Sequence, residues 1–573
     1  MQVQGTCSFE YDKMNLDMEN MTEKIYSILE KVALEMGAAG IEFKVERPKE
    51  SSHGDFSSNI ALNLFANSRL KIKDLGFKSP KELAEKIVSV LNSKFLNLNS
   101  DFEKVEIAGP GFINFYLSKK YLQNQVQTII QQSSAYGSSD MGKGKKASVE
   151  FVSANPTGPL HIGNARGGPL GDTIANVLEK VGYKVIREYL HNDVGGQVDR
   201  LGEAIYFTLH PDQKSENYEM QYQGEYIKEL AEEVEESLAS DDGLSQEEFI
   251  EKAGKIAVEL MLLEILKDCK DMGIKFDKVT KESDLRKEVP DVLEKIKKSL
   301  KESEGALWFA PNDEFLKDRE TVVKKSDGNY TYFASDIAYH NKKMSQNELV
   351  VDILGSNHSG HVPRIFAVIQ ALGYKTENLR CILYQYVRLK RGAEIVKMSK
   401  RAGTFVEARN VLDEVGKDAF RFFLLMANSS THMDFDLYLA KKKASDNPVF
   451  YVQYAYTRIA SIFEKSKTKN FEGADFSLLK EKEETDLIRK LTEFTDLVEE
   501  VSKTFAVNNL CTYAVDLASF FHKFYEKQQV ISKDPSSASG QVLTQARLAL
   551  LKATQITLKN TLDLLGVSAP ERM

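Results

Sequence analysis

Residues 153–168 read SANPTGPLHIGNARGG and set one histidine, His161, in a turn built from two prolines and four glycines. Gly and Pro cluster where the backbone must turn tightly or approach something closely. A helix-patterned stretch follows directly. The N-terminus of a helix offers unpaired N–H groups and the positive end of its dipole, so a histidine there points at whatever anion the helix holds. The chemistry suggested is phosphate handling, although the turn alone reads equally well as a histidine that caps a helix. A second segment, KMSKRAGTF at 397–405, carries Lys397, Met398, Ser399 and Lys400. Two lysines and a serine in a Gly-containing loop suit a clamp on a polyphosphate; alone, they read as ordinary surface lysines. The GxGxxG fingerprint is absent, which argues against an ordinary NAD site. Cys7, Cys269, Cys381 and Cys511 are far apart with no CxxC pair, so neither a zinc ribbon nor a disulfide framework is expected.

Several elements must position these segments. ASVEFVSA (147–154) reads as a short buried strand, and 165–181 as a helix with Leu170, Ile174, Val177, Leu178 and Val181 on one face. YKVIREYL (183–190) reads as the next strand. Strand, turn, helix, strand opens a parallel α/β sheet, where ligands bind beyond the C-terminal strand ends. VVDILG (350–355) and RCILYQYVRL (380–389), with a helix between, continue the sheet after a gap. That gap, residues 198–300, is dense in Lys and Glu at helical period and reads as a helical insertion with solvated charged faces. Upstream, residues 20–130 read as an α+β module, with helices at MTEKIYSILEKVALEM and PKELAEKIVSVL and a β-rich run at VEIAGPGFINFYLS. The polar linker QQSSAYGSSDMGKGKK (131–146) closes it. From 446 the pattern is entirely helical, ending at Gly566 with Pro570 just beyond. No internal repeat is visible. The fold class expected is multidomain α/β: an N-terminal α+β domain (20–130), a parallel-sheet domain (147–410) with its insertion, a connecting segment (411–445) and an all-helical domain (446–573).

The bulk numbers agree. A chain of 573 residues exceeds one core and predicts about three or four domains. No apolar run approaches the roughly 18 residues of a membrane span. The acidic start MQVQGTCSFEYDKMNLDMEN lacks the pattern of a secretory signal, and Met14, Met18 or Met21 could serve as the start. A cytosolic protein without membrane partners is expected. The net charge of −8 gives no global hint of nucleic acid, but a local basic surface would suffice to bind one.

Together the two segments resemble the paired HIGH and KMSKS signatures of class I aminoacyl-tRNA synthetases. The resemblance extends from about residue 20 to the C-terminus and points to the arginyl-tRNA synthetase family. VEFVSANPTGPLHIGNARGG is similar to that family's signature almost throughout; HGDFSSNIAL and GPGFINFYL resemble its N-terminal appended domain; YFASDIAYH, GSNHSGHVPR and NPVFYVQYAYTRI resemble later segments. Two positions depart from the general signatures. The last His of HIGH is Asn164, as members of bacterial type often have, and the final Ser of KMSKS is Arg401.

The resemblance implies a Rossmann-like catalytic domain, an N-terminal tRNA-binding domain and a C-terminal anticodon-binding bundle. It implies two steps: the arginine carboxylate attacks the α-phosphate of ATP, then the 2′-OH of the terminal adenosine of tRNA(Arg) takes the arginyl group. His161, with Asn164 as a second donor, would stabilise the α-phosphate; Lys397 and Lys400 would hold the departing phosphates. Pro159, Gly163, Met398 and Ser399 complete the implied ATP site. Mg²⁺ would arrive with ATP, and no protein-bound zinc is expected. A guanidinium is a planar fork that matches carboxylates, and the family match assigns Glu150 and Asp336 to it, with Tyr332 beside Asp336. Ser153, Asn155 and His358 match positions that contact the amino acid's polar groups. Asp193 and Gln197 in HNDVGGQ either line the same pocket or brace a loop. For tRNA(Arg), Phe112 and Asn114 match D-loop positions, and Tyr525 and Met573 are anticodon candidates. The family also implies a monomer and activation of arginine only when tRNA is bound.

Two rivals are weaker. A cysteine-specific relative would carry zinc-ligand cysteines, the isoleucine, leucine and valine enzymes carry a large editing insertion, and Glu150 and Asp336 would repel glutamate. A catalytically silent RNA-binding relative would be expected to lose His161, Lys397 and Lys400, and all three are present.

Overall fold

The computed structural model describes residues 20–48, 50–67, 76–95, 101–215, 218–241, 243–311, 315–316, 320–396, 406–466, 471, 473–532 and 538–573. Lys397, Met398, Ser399, Lys400 and Arg401 lie outside the described residues. The chain divides into two compact units, one of Met1–Thr128 with Phe476–Asp496, the other of Ile129–Asp475 with Leu497–Met573.

In the first unit, Asn20 caps the helix Met21–Glu35, its side chain accepting from Thr22 N at 2.9 Å. Ser79 caps Pro80–Val90, and Pro80 fills a first-turn position where its missing N–H costs nothing. Four antiparallel strands lie in the order Val45–Glu46, Phe56–Ser58, Phe112–Leu117, Phe102–Ala108. Ile25, Leu29, Phe56, Leu64, Leu83, Ile87, Ile113 and Phe115 are buried here. The start of the helix Lys482–Thr504 belongs to this unit: Arg489 pairs with Asp55 at 3.0 Å, and Asp496 with Arg47 at 2.7 Å.

The second unit is built on a five-stranded, wholly parallel sheet. Its spatial order is Leu379–Tyr384, Leu349–Gly355, Lys146–Glu150, Lys184–His191, Lys278–Lys281. The first strand in sequence therefore lies in the middle, and the connections leave it in opposite directions on its two sides. That reversal opens a crevice at the C-terminal ends of Lys146–Glu150 and Leu349–Gly355. The helices Ile162–Ala165 and Gly167–Lys180 follow the first strand, with Leu170, Ile174, Val177 and Leu178 buried. Gly171 lets helix and sheet approach closely, since a Cβ there would overlap the Phe151 ring.

The structure corrects two expectations. The charge-dense stretch is helical through Gly196–Leu209, Glu225–Leu238 and Gln246–Asp271, but Lys278–Lys281 then returns as an edge strand of the main sheet. A four-residue strand flanked by lysines has too few positions to show a period of two. RCILYQYVRL, read as one run, is two strands in different sheets: Leu379–Tyr384 closes the parallel sheet, while Val387–Arg391 pairs with Met433–Asp436 and Glu394–Ile395. The break falls at Gln385, whose N–H donates to Ser429 O at 2.9 Å. An antiparallel hairpin sheet, Leu300–Ser303, Ala306–Phe309 and Thr321–Lys324, also follows the insertion. Beyond it, the helices Pro448–Ser466, Asn508–Lys527 and Ala538–Leu565 form the C-terminal part, the last ending before Gly566 at φ +66°. Among the described residues no helix is long and apolar enough to cross a membrane.

Candidate active site

The crevice begins with strained backbone. Val152 and Ser153, just after the central strand, have φ of +66° and +37°. A left-handed conformation is rare for any side chain and rarer for a β-branched one, and such strain concentrates at functional sites. The turn aims Ser153 Oγ at Glu150 Oε1, to which it donates at 3.0 Å, and the same hydroxyl accepts from Leu190 N at 3.1 Å. Exposed Asn155 accepts from Asn192 at the end of the neighbouring strand, 2.6 Å away.

Glu150 is buried and paired. Its Oε2 accepts from Lys343 Nζ at 2.7 Å, and the same ammonium donates to Asp352 at 2.6 Å. Asp352 sits opposite Glu150 on the adjacent strand, so Lys343 separates two carboxylates that would otherwise repel. His340 Nε2 lies 2.9 Å from the other oxygen of Asp352. Burial pushes the Glu150 carboxyl up against the pull of Lys343. Burial also opposes ionisation of Asp352, yet Lys343 and His340 hold it well below the usual carboxylate range. Lys343 is the strongly held charge: burial works against it, but both carboxylates keep its pKa above the ordinary lysine value.

The same helix, Tyr332–Gln346, carries the next wall. Exposed Tyr332 begins it, and Asp336 lies one turn on, 3.1 Å from His361 Nε2. Facing them is a residue the sequence reading missed, Glu282, first in the helix Glu282–Lys295. Its Oε1 accepts from Ser335 Oγ at 3.3 Å and from Arg286 at 3.0 Å; its buried Oε2 has no hydrogen-bond partner among the described residues. Burial pushes the Glu282 carboxyl up to about 7, Arg286 opposing and Asp336 reinforcing. A 2% exposed carboxylate with an unpaired oxygen is costly to keep unless something cationic meets it. The guanidinium of Arg286 lies 6.0 Å from the Tyr332 ring centre. Asp193 braces this corner: its two oxygens accept from the N–H and hydroxyl of Ser283, at 2.9 and 2.6 Å. Gln197 lies in the first turn of the helix Gly196–Leu209 beside it. His358 lies in the turn that follows the strand Leu349–Gly355, its residue exposed overall but its ring partly desolvated, which with neighbouring His361 lowers its pKa.

His161 caps the short helix Ile162–Ala165, its Nδ1 accepting from Asn164 N at 3.1 Å. With Nδ1 an acceptor, the neutral ring carries its proton on Nε2, so the donor it can turn outward is Nε2–H. Asn164, Gly163 and Pro159 are half-buried in the same turn. The turn pairs with the residues just after 397–405: Ile162 N donates to Val406 O at 3.1 Å, and Ala408 N to Leu160 O at 2.7 Å.

The candidate tRNA contacts lie apart from one another in the chain and differ in exposure. Phe112 is exposed at the start of its strand, whereas Asn114 is buried with its Oδ1 accepting from Ser57 at 2.8 Å. Tyr454 and half-buried Tyr525 both lie by the Arg458 guanidinium, 5.2 Å from each ring centre. Met573 is exposed at the C-terminus.

Residues 125–436 match the family described as tRNA synthetases class I (R), catalytic domain, and 452–573 match the DALR anticodon binding domain. A parallel sheet whose strand order reverses beside the histidine turn, joined to that helical domain, defines a class I aminoacyl-tRNA synthetase. Residues 19–117 match the arginyl tRNA synthetase N terminal domain. The chain is 41% identical to an arginine–tRNA ligase of Listeria monocytogenes over 98% of its own length and 100% of the relative's. It is also 41% identical to one from a Geobacter species, covering 92% of this chain and 94% of that one. The arginyl-tRNA synthetase structure of Thermus thermophilus shares the fold, with a TM-score of 0.75 at 22% identity over 96% of this chain and 100% of that one. The chain belongs to the arginyl-tRNA synthetase family. It is an arginine–tRNA ligase, joining arginine to tRNA(Arg) with ATP as co-substrate.

Proposed function

We propose that the crevice between Glu150 and Glu282 is the arginine site and that the turn around His161 is the adenylation site. The observation that carries the first assignment is the unpaired, buried Oε2 of Glu282 beside Asp336. A guanidinium presents donors in a planar fork and bonds best to carboxylates. Asp336 and Glu282 supply two of them from facing helices, and Tyr332 closes over the plane. Glu150 contributes differently: Lys343 occupies its Oε2, so it meets the substrate through Oε1, next to Ser153. Asn155 and His358, at the strand ends, hold the backbone amine and carboxylate of arginine.

At the turn, His161 Nε2–H and the Asn164 amide donate to the α-phosphate as charge builds on it, with Pro159 and Gly163 shaping the floor. Lys397 and Lys400 balance the charge on the leaving pyrophosphate, with Met398 and Ser399 in the same loop. These are positioning and electrostatic effects, needing no covalent intermediate on the protein. Mg²⁺ comes with the nucleotide; among the described residues no cluster of acids, histidines or cysteines could hold a metal. Phe112 and Asn114 meet the tRNA D-loop, Tyr525 and Met573 its anticodon. The protein works as a cytoplasmic monomer, within domains bounded at about 130, 147, 410 and 446.

Arginine-dependent ATP–pyrophosphate exchange, with and without tRNA(Arg), tests this. Lysine, citrulline and glutamate serve as controls. Exchange only with arginine and tRNA together is expected. Exchange with arginine alone refutes tRNA-dependent activation, and exchange with citrulline as readily as arginine refutes the carboxylate pocket.

A further inference from the structure

Arg166, two residues after the histidine turn, is among the largest fully buried side chains of the protein, 1% exposed. A buried guanidinium normally meets a carboxylate. This one bonds to none among the described residues. It donates instead to four backbone carbonyls: Nη1 to Gln385 O at 2.7 Å and Thr431 O at 2.9 Å, Nη2 to Asn428 O at 2.9 Å and Ala427 O at 3.3 Å. Burial pulls its pKa down to about 10, with Tyr384 opposing, the cost of holding the charge without a counter-ion.

The four carbonyls belong to two loops with one thing in common. Gln385 lies at the break where the chain leaves the parallel sheet for the strand Val387–Arg391. Residues 427–431 lead into Met433–Asp436, the strand that pairs with it in parallel register. One side chain thus pins both entrances to the small sheet from which the chain runs into Lys397 and Lys400. On the far side of that segment, Val406 and Ala408 are already laddered to Ile162 and Leu160. Next to Arg166, Tyr384 packs so close to Gly167 that a Cβ would lie 3.0 Å from its ring.

We propose that Arg166 is a positioning residue for adenylate formation. It ties the histidine turn to the sheet Val387–Arg391/Met433–Asp436, so that His161 and Asn164 keep their place at the α-phosphate. A fork is required: the guanidinium reaches four acceptors in two directions, whereas an ammonium is a point donor. Misplacement of about 1 Å in a reacting site costs on the order of 100-fold in rate. The proposal rests on the assignment of His161 to the α-phosphate.

The test compares Arg166→Met, Arg166→Lys and His161→Ala in ATP–pyrophosphate exchange with tRNA(Arg), with turnover expressed per folded molecule from circular dichroism. Arg166→Met is expected to lose about 100-fold in kcat with KM for arginine within about threefold of the parent, and Arg166→Lys to fall between them. Transfer of arginine from supplied arginyl-adenylate to tRNA(Arg) is expected to stay near the parent rate, which a general loss of structure would not allow. Unchanged kcat per folded molecule in both variants overturns the proposal. So does a raised arginine KM at unchanged kcat, or failure of both variants to fold, which leaves Arg166 a stabilising pin. If His161→Ala keeps full exchange, the assignment of the turn fails instead.

Discussion

Glu282 is the residue whose perturbation reads most directly. Its carboxyl is pushed up to about 7 by burial, and in the proposed arginine site only the ionised form can pair with a guanidinium. Protons and arginine therefore compete for the same oxygen. At about pH 8 roughly nine-tenths of Glu282 is ionised and at about pH 6 roughly one-tenth, so KM for arginine should rise about tenfold over that interval. Asp336, Arg286 and Tyr332 are the charged and titratable groups that act on Glu282. Glu282→Gln isolates the contribution, because it keeps the shape and removes the ionisation. The variant should show a KM raised about 10- to 100-fold at about pH 8, the worth of one charge-assisted hydrogen-bonded contact, and the pH slope should flatten. Stability should move the other way. The folded-state pKa lies above the free value, so the folded protein favours the protonated acid and is penalised once the group ionises. Glu282→Gln removes that penalty, and the substrate-free protein should be stabilised by about 2 kcal/mol at pH above 7, allowing for screening near Arg286. The gain should vanish as pH falls toward the ordinary carboxylate range. Exchange kinetics and thermal melts read both effects. An unaltered pH profile in Glu282→Gln would refute the reasoning.

Asp336→Asn should raise KM for arginine about 100-fold while leaving KM for ATP near the parent, as steady-state exchange would show. His161→Ala should lower kcat about 100- to 1,000-fold with little change in either KM, since its donor acts on charge that develops in the transition state. Gly566→Ala should lower thermal stability without altering arginine KM. A Cβ there would overlap the buried Arg421 guanidinium, which pairs with Asp172 at 2.6 Å and donates to Leu565 O at 2.8 Å, and disturbing a buried pair costs about 3 kcal/mol. Tyr525→Ala should weaken tRNA(Arg) binding about tenfold in a filter assay, the loss of one stacking surface, with arginine activation at saturating tRNA unchanged.

Much of this protein was legible in one dimension because its physics is local. The Gly/Pro turn around His161, the helix with Leu170, Ile174, Val177 and Leu178 inside, and the stop at Gly566 each depend on residues within a few positions of one another. The neighbouring strands and the wholly helical C-terminal pattern follow from the same short-range periodicity. What the residue order left open was pairing across distance. Glu150 and Lys343 are 193 positions apart, and Lys343 reads as one more charge on an amphipathic helix until the fold buries it between two carboxylates. Glu282 is unremarked in a stretch crowded with Lys and Glu, and nothing local separates it from the solvated acids around it. Its burial comes from the helix Tyr332–Gln346 packing over it and excluding water. Arg166 is likewise read from its neighbours as part of a motif, while its four carbonyl partners come from two loops more than two hundred residues away. Local sequence determines which turns and helices form, because backbone preference and side-chain period act over a few residues. Which charges lose their water, and what then answers them, is decided only when distant segments close on each other.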